Sequence, residues 1–141
     1  MDEQLMTYIT GVAHIGVAVP DIQTAAAQYQ LLGFHPLMED IAYEQAHGVQ
    51  AYMMENHGFL VELLAPLEAG KESPVDSYIA TAPYKIYHVA YTTSDFDAQI
   101  ALLKKNRFLM TGAPKESSLQ KGKRTVFMAS RKFGVVELIE G

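Results

Sequence analysis

Residues 11–34 read GVAHIGVAVPDIQTAAAQYQLLGF, and residues 85–108 read KIYHVAYTTSDFDAQIALLKKNRF. Sliding the first stretch forward by 74 positions places His14 on His88, Ile15 on Val89, Asp21 on Asp95 and Phe34 on Phe108. One offset that satisfies all of these pairs marks an internal repeat. Each copy is a strand of apolar residues with one central His, then a Pro-Asp or Ser-Asp break, then a helix.

In the first copy, Val12, His14, Gly16 and Ala18 alternate with Ala13, Ile15, Val17 and Val19, so the strand is apolar on both faces. Pro20 and Asp21 suit the start of a helix. Ile22, Ala25, Ala26, Tyr29 and Leu32 then fall at the spacing of a buried stripe, and Gly33 stands where a C-cap glycine belongs. Three strands are expected next, near 35–43, 48–54 and 59–64, separated by His47-Gly48 and by Asn56-His57-Gly58. The unit is βαβββ.

Residues 66–83 contain Pro66, Gly70, Pro74 and Pro83 and read as a linker, with one short helical turn over 73–80. The second unit repeats the His strand over 86–92 and the helix over 95–106, whose stripe is Phe96, Ile100 and Leu103. Further strands are expected at 107–111, 124–129 and 134–139, and the polar stretch 112–122 reads as a loop. The fold class is therefore α+β: one domain over 1–141, with one module at 9–65, a linker at 66–83 and a second module at 84–141.

Composition narrows the function. The chain has 141 residues, of which 49% are hydrophobic, enough for a core, and no apolar run approaches the ~20 residues of a membrane helix. The opening MDEQLMTYIT lacks the basic and long apolar regions of a signal peptide, so a cytoplasmic protein is expected. No cysteine is present, which excludes disulfides, thiolate metal sites and a Cys nucleophile. The net charge of −5 disfavours nucleic acid as a partner. All eleven bases lie after residue 70, however, and Lys115, Lys121, Lys123, Arg124, Arg131 and Lys132 sit close together in the sequence, offering a surface for an anionic ligand.

The chemistry concentrates in four residues. His14 on the first strand is matched by His88, and Glu62 in Val61-Glu62-Leu63-Leu64 is matched by Glu137 in Val136-Glu137-Leu138-Ile139. A carboxylate inside an apolar strand costs several kcal/mol unless it is compensated. Two imidazoles and two carboxylates form an N2O2 set suited to one divalent ion of Zn, Co, Ni, Mn or Fe, with room for water or substrate. His35, His47 and His57 have no repeat partner and stand beside turns, while Glu44, Gln50 and Glu55 are candidates to face the same cavity.

At these residues the chain resembles the vicinal oxygen chelate superfamily, the glyoxalase/bleomycin resistance/dioxygenase group. VAHIGVAVPDI and YHVAY look like its histidine strands, and VELL and VELI look like its carboxylate strands. The resemblance covers nearly the whole chain. It implies two βαβββ modules whose mixed sheet curls into an open cup around a metal held by His14, Glu62, His88 and Glu137. It also implies a homodimer. Residues 61–79, VELLAPLEAGKESPVDSYI, are similar to the methylmalonyl-CoA epimerase pattern. The chain departs from that pattern at Tyr87, at Met128-Ala129-Ser130 and at Ala51, where some epimerases carry a catalytic Glu.

The implied reaction is proton abstraction beside a metal-bound carbonyl through an enediolate, with Glu137 or Glu62 as the base. Reprotonation on the other face gives an epimerase; transfer to the adjacent carbon gives a lactoylglutathione lyase acting on a glutathione hemithioacetal. A non-catalytic small-molecule binder of the resistance type is the remaining alternative. An extradiol dioxygenase needs a two-His, one-carboxylate iron site, which the fourth donor Glu62 argues against. For a CoA thioester substrate, Lys121, Lys123 and Arg124 are the expected contacts for the phosphates.

Overall fold

The computed structural model describes residues 6–117 and 121–141. Among them are ten strands and three α-helices. The chain divides into two compact units, His14–Tyr87 and Met1–Ala13 with His88–Gly141.

In the unit His14–Tyr87, strand β1 (Ile9–Ala18) supplies its second half, which runs parallel to β5 (Phe59–Pro66) with Gly16 opposite Glu62. On its other side β5 pairs antiparallel with β4 (Val49–Asn56), and β4 carries two short strands, β2 (His35–Pro36) and β3 (Ala42–Glu44). The single strand expected over 35–43 is thus broken in two. Pro36 has no N–H to continue a ladder, and the polar Glu39-Asp40 stretch bends away.

Helix α1 (Ile22–Leu31) begins at Asp21, whose carboxylate accepts from the Thr24 backbone N–H at 2.9 Å and from the Thr24 hydroxyl at 2.6 Å. These bonds occupy a donor that the first turn would otherwise leave unmet. The helix lays Ile22 and Ala25 against Val17, Val19, Met54, Val61, Leu63 and Ala65. The expected stripe ends one turn early: Leu32 is 70% exposed, because the helix stops before it and Gly33 turns the chain. Helix α2 (Asp76–Thr81) is the turn expected in the linker, and beside it Val75 joins Ala18, Val49, Ala51 and Leu64 in a second cluster.

Period-two geometry sorts the strands. Val17, Val61, Leu63 and Met54 face α1, whereas Ala18, Leu64 and Ala51 face the other side. His14 has the parity of Ala18, and Glu62 has the parity of Leu64.

The other unit repeats the plan. Strand β6 (Ile86–Thr93) runs parallel to β10 (Gly134–Glu140), which pairs antiparallel with β9 (Arg124–Ser130). Short strands β7 (Leu109–Met110) and β8 (Lys115–Glu116) both pair with β9, the latter inside the stretch expected to be a loop. Residues 118–120 of that stretch lie outside the described residues. Helix α3 (Phe96–Lys105) is capped by Asp95, which accepts from Ala98 N–H at 3.1 Å, and it buries Phe96 and Ile100 against Val126, Met128, Val136 and Leu138. The partly exposed Leu103 packs on the same cluster, as the stripe predicts.

Candidate metal centre

Both His–Glu pairs arise from one local rule. In the first repeat Gly16 lies opposite Glu62 on parallel strands, and His14 precedes Gly16 by one full side-chain period. In the second, Ala90 lies opposite Glu137, with His88 one period before Ala90. Each imidazole therefore shares a face with its carboxylate and stands diagonal to it. His14 Nε2 is 3.5 Å from Glu62 Oε1, and His88 Nε2 is 3.2 Å from Glu137 Oε1.

All four residues are buried, with exposures of 5% and 7% for His14 and Glu62 and of 2% and 7% for His88 and Glu137. The edge of Phe127 closes on the His88 ring, with the centroids 5.0 Å apart. Among the described residues these four are the ones whose side chains could serve a metal ion, one buried His–Glu pair in each unit. The donor set, two imidazole nitrogens and two carboxylate oxygens, fits a borderline divalent cation. Two buried carboxylates also make a strong demand for positive charge, which such an ion meets.

The other candidates fall elsewhere. His35 is exposed in β2 opposite Glu55, and His57 occupies a turn with φ 49°. His47 ends a short 3-10 turn, with its Nδ1 3.6 Å from Glu44 Oε2. Gln50 Nε2 donates to the carbonyls of Pro66 at 3.0 Å and Leu67 at 3.4 Å. Ala51 is fully buried opposite Leu64.

Of the basic residues, Lys121 is exposed and Lys123 is half-buried, but Arg124 is committed within its own unit. Its guanidinium reaches Asp97 at 3.1 Å and Glu140 at 2.9 Å and lies over the Phe96 ring at 4.5 Å. Those hydrogen bonds raise the Arg124 pKa, and the same bonds from Arg124 lower that of Glu140. Two carboxylates already neutralise Arg124, which makes it a structural clamp rather than an available anion contact.

One polar residue of the site is absent from the motif reading. The Thr125 hydroxyl donates to Glu137 Oε2 at 2.7 Å, and both side chains are buried. A Thr in a β-strand is commonplace, and its meaning emerges only from the register of β9 on β10.

Residues 13–140 match the family described as the Glyoxalase/Bleomycin resistance protein/Dioxygenase superfamily. Ethylmalonyl-CoA/methylmalonyl-CoA epimerase of Cereibacter sphaeroides is 32% identical over 133 residues, covering 89% of this chain and 93% of the relative. The crystal structure of methylmalonyl-CoA epimerase from Mycobacterium tuberculosis is similar in fold, with a TM-score of 0.78 at 20% identity, covering 99% of this chain and 93% of that one. A variant of Streptomyces coelicolor methylmalonyl-CoA epimerase in complex with 2-nitronate-propionyl-CoA gives a TM-score of 0.76 at 23% identity, covering 94% and 98%.

Proposed function

The chain belongs to the glyoxalase/bleomycin resistance protein/dioxygenase superfamily, and from that premise we propose that it is a divalent-metal-dependent epimerase of CoA thioesters, with methylmalonyl-CoA or a close homologue as substrate. The observation that carries the reading is the duplicated pair, His14 with Glu62 and His88 with Glu137, held at the same strand register in both repeats. A 32%-identical relative that acts on ethylmalonyl-CoA and methylmalonyl-CoA gives the substrate class.

His14, Glu62, His88 and Glu137 hold the ion, one of Zn, Co, Ni, Mn or Fe. When bound, such an ion supplies Lewis-acid stabilisation for charge developing on a carbonyl oxygen as the neighbouring C–H ionises. The chain itself supplies the rest. A carboxylate of the quartet accepts the proton from the carbon beside the thioester carbonyl. The buried, apolar surroundings of Leu64, Ala51 and Val49 keep water from diluting the electrostatic interactions in the site. Lys121 and Lys123 contact the CoA phosphates. A homodimer belongs to the same reading.

The test is to incubate one enantiomer of methylmalonyl-CoA with the metal-loaded protein and to follow its optical purity, with the glutathione hemithioacetal of methylglyoxal as a parallel substrate. Racemisation of the thioester with an inert hemithioacetal is the expected result. Conversion of the hemithioacetal alone moves the assignment to a lactoylglutathione lyase, and inertness toward both leaves a binding protein.

A further inference from the structure

The two repeats build the same helix end beside the same hairpin but dress them with different side chains. Gln30, Leu31 and Gly33 close α1, whereas Lys104, Lys105 and Arg107 hold the equivalent positions at the end of α3. The β4–β5 hairpin turns on His57-Gly58 between paired Asn56 and Phe59; the β9–β10 hairpin turns on Arg131-Lys132-Phe133 between paired Ser130 and Gly134. An aromatic contact joins helix end to hairpin in each copy, Phe34 with Phe59 at 6.5 Å and Phe108 with Phe133 at 5.9 Å. The first repeat makes that junction without a single Lys or Arg, so the fold does not require the cations of the second.

Lys104, Lys105, Arg107, Arg131 and Lys132 are all exposed, and among the described residues none of the five forms an ion pair; the Lys and Arg pairs formed are those of Lys71 and Arg124. Residues 98–136 hold nine bases against one acid, Glu116, in a chain whose net charge is −5. Beside the cations, Leu109 is 73% exposed and Phe133 is 65% exposed. The dipole of α3 favours Lys104 and Lys105 in its last turn. It gives no reason for Arg131, Lys132 or the two exposed apolar side chains. Arg107 also sits at φ 71°, a conformation that strains a non-glycine residue, where the first repeat turns on Gly33.

We propose that this end of the unit, formed by Lys104, Lys105, Arg107, Leu109 and the Arg131–Phe133 turn, is a docking surface for an anionic lipid bilayer. Headgroup phosphates neutralise the unpaired cations, and Leu109 and Phe133 enter the apolar layer beneath the headgroups. A nucleic acid would satisfy the cations but leave Leu109, which cannot stack on a base, in water. A protein interface is the poorer match because such interfaces are depleted in Lys, which supplies three of the five cations. A bilayer meets both demands, charge outside and apolar matter within. None of these residues belongs to the metal centre, so the docking surface is independent of the substrate proposed above.

The experiment sediments the full-length chain with vesicles of phosphatidylcholine and with vesicles in which phosphatidylglycerol replaces half of that lipid. Binding should appear with the anionic vesicles alone and fade at high salt. Arg107→Gly, Arg131→Gln and Lys132→Gln together should weaken it about 100-fold, and Phe133→Ser about tenfold. Lys71→Gln, on the unit His14–Tyr87, should leave it nearly unchanged. Arg107→Gly removes a strained residue, so weakened binding by a triple variant whose urea midpoint is not lowered reports the surface and not the fold. No sedimentation with anionic vesicles at low salt overturns the proposal, as does equal binding by the parent and the triple variant. A chain that ignores the vesicles but retains single-stranded RNA also overturns it, and marks the patch as a nucleic-acid contact.

Discussion

Arg107 stands where Gly33 stands in the first repeat, and both hold a left-handed backbone, with φ of 71° and 92°. Both helices end in the same way. Gly33 N–H donates to Gln30 O at 3.1 Å and Phe34 N–H to Tyr29 O at 3.1 Å; Arg107 donates to Lys104 O at 3.1 Å and Phe108 to Leu103 O at 3.0 Å. This is the paired bonding of a Schellman cap, completed in the first repeat by the Tyr29–Phe34 ring contact at 5.2 Å. A non-glycine residue pays a steric cost of about 1–2 kcal/mol in that conformation. The greater freedom of a glycine in the unfolded chain offsets part of it.

Arg107→Gly should therefore stabilise the protein by about 0.5–1 kcal/mol, read as a higher urea midpoint. Gly33→Ala should destabilise it by a similar amount or more, since a Cβ there also comes within 3.3 Å of Asn56 Nδ2. Equal midpoints for Arg107→Gly and the parent would contradict this account of the helix ends.

Helix α1 separates a core residue from its neighbour in the apolar pattern. Ile22 is 2% exposed and Leu32 is 70% exposed. Ile22→Ala should cost about 2–4 kcal/mol, whereas Leu32→Gln should change stability by less than about 0.5 kcal/mol. Denaturant melts of the two variants decide the point, and comparable losses would mean that Leu32 is packed.

Glu140 carries an acid-sensitive contribution. Hydrogen bonds from the Arg124 side chain and backbone hold its carboxyl below the ordinary value of 4.5. A carboxyl lowered on folding contributes stability above its unfolded value and loses it as pH falls through its folded value. The stability gap between the parent and Glu140→Gln should thus be present at neutral pH and close as pH drops below about 4.5, small throughout because the pair faces solvent. A gap that widens in acid would reverse the assignment.

For the CoA contact, Lys121→Gln with Lys123→Gln should raise KM for a CoA thioester and leave kcat nearly unchanged, with the difference shrinking at high salt. Arg124→Gln belongs in a separate experiment, because it also breaks the ion pairs to Asp97 and Glu140. An unchanged KM in the double variant would remove the lysines from the site.

Much of this architecture was legible in the residues. The His strands, the capped helices and the VELL and VELI strands carry strong local signals: apolar alternation, an Asp at each helix start, and one repeat offset. The partition of His14 and Glu62 onto the face opposite α1 follows from strand parity once the helix stripe is known. Other features depend on pairing that no local window contains. The short strand β8 is set by its pairing with β9. The contact of Thr125 with Glu137 likewise exists only through the register of β9 on β10. Arg124 looked like a free cation in a basic stretch, and its carboxylate partners lie 27 positions before it and 16 after it.

The measurement closest to the central claim is deuterium incorporation at C2 of methylmalonyl-CoA in D2O, by chelator-stripped protein before and after one equivalent of Co(II). Exchange should be absent in the stripped chain, return with the metal, and fail to return in His14→Ala or His88→Ala. Equal exchange with and without metal, or full recovery in either histidine variant, would contradict a proton-transfer site built on His14, Glu62, His88 and Glu137.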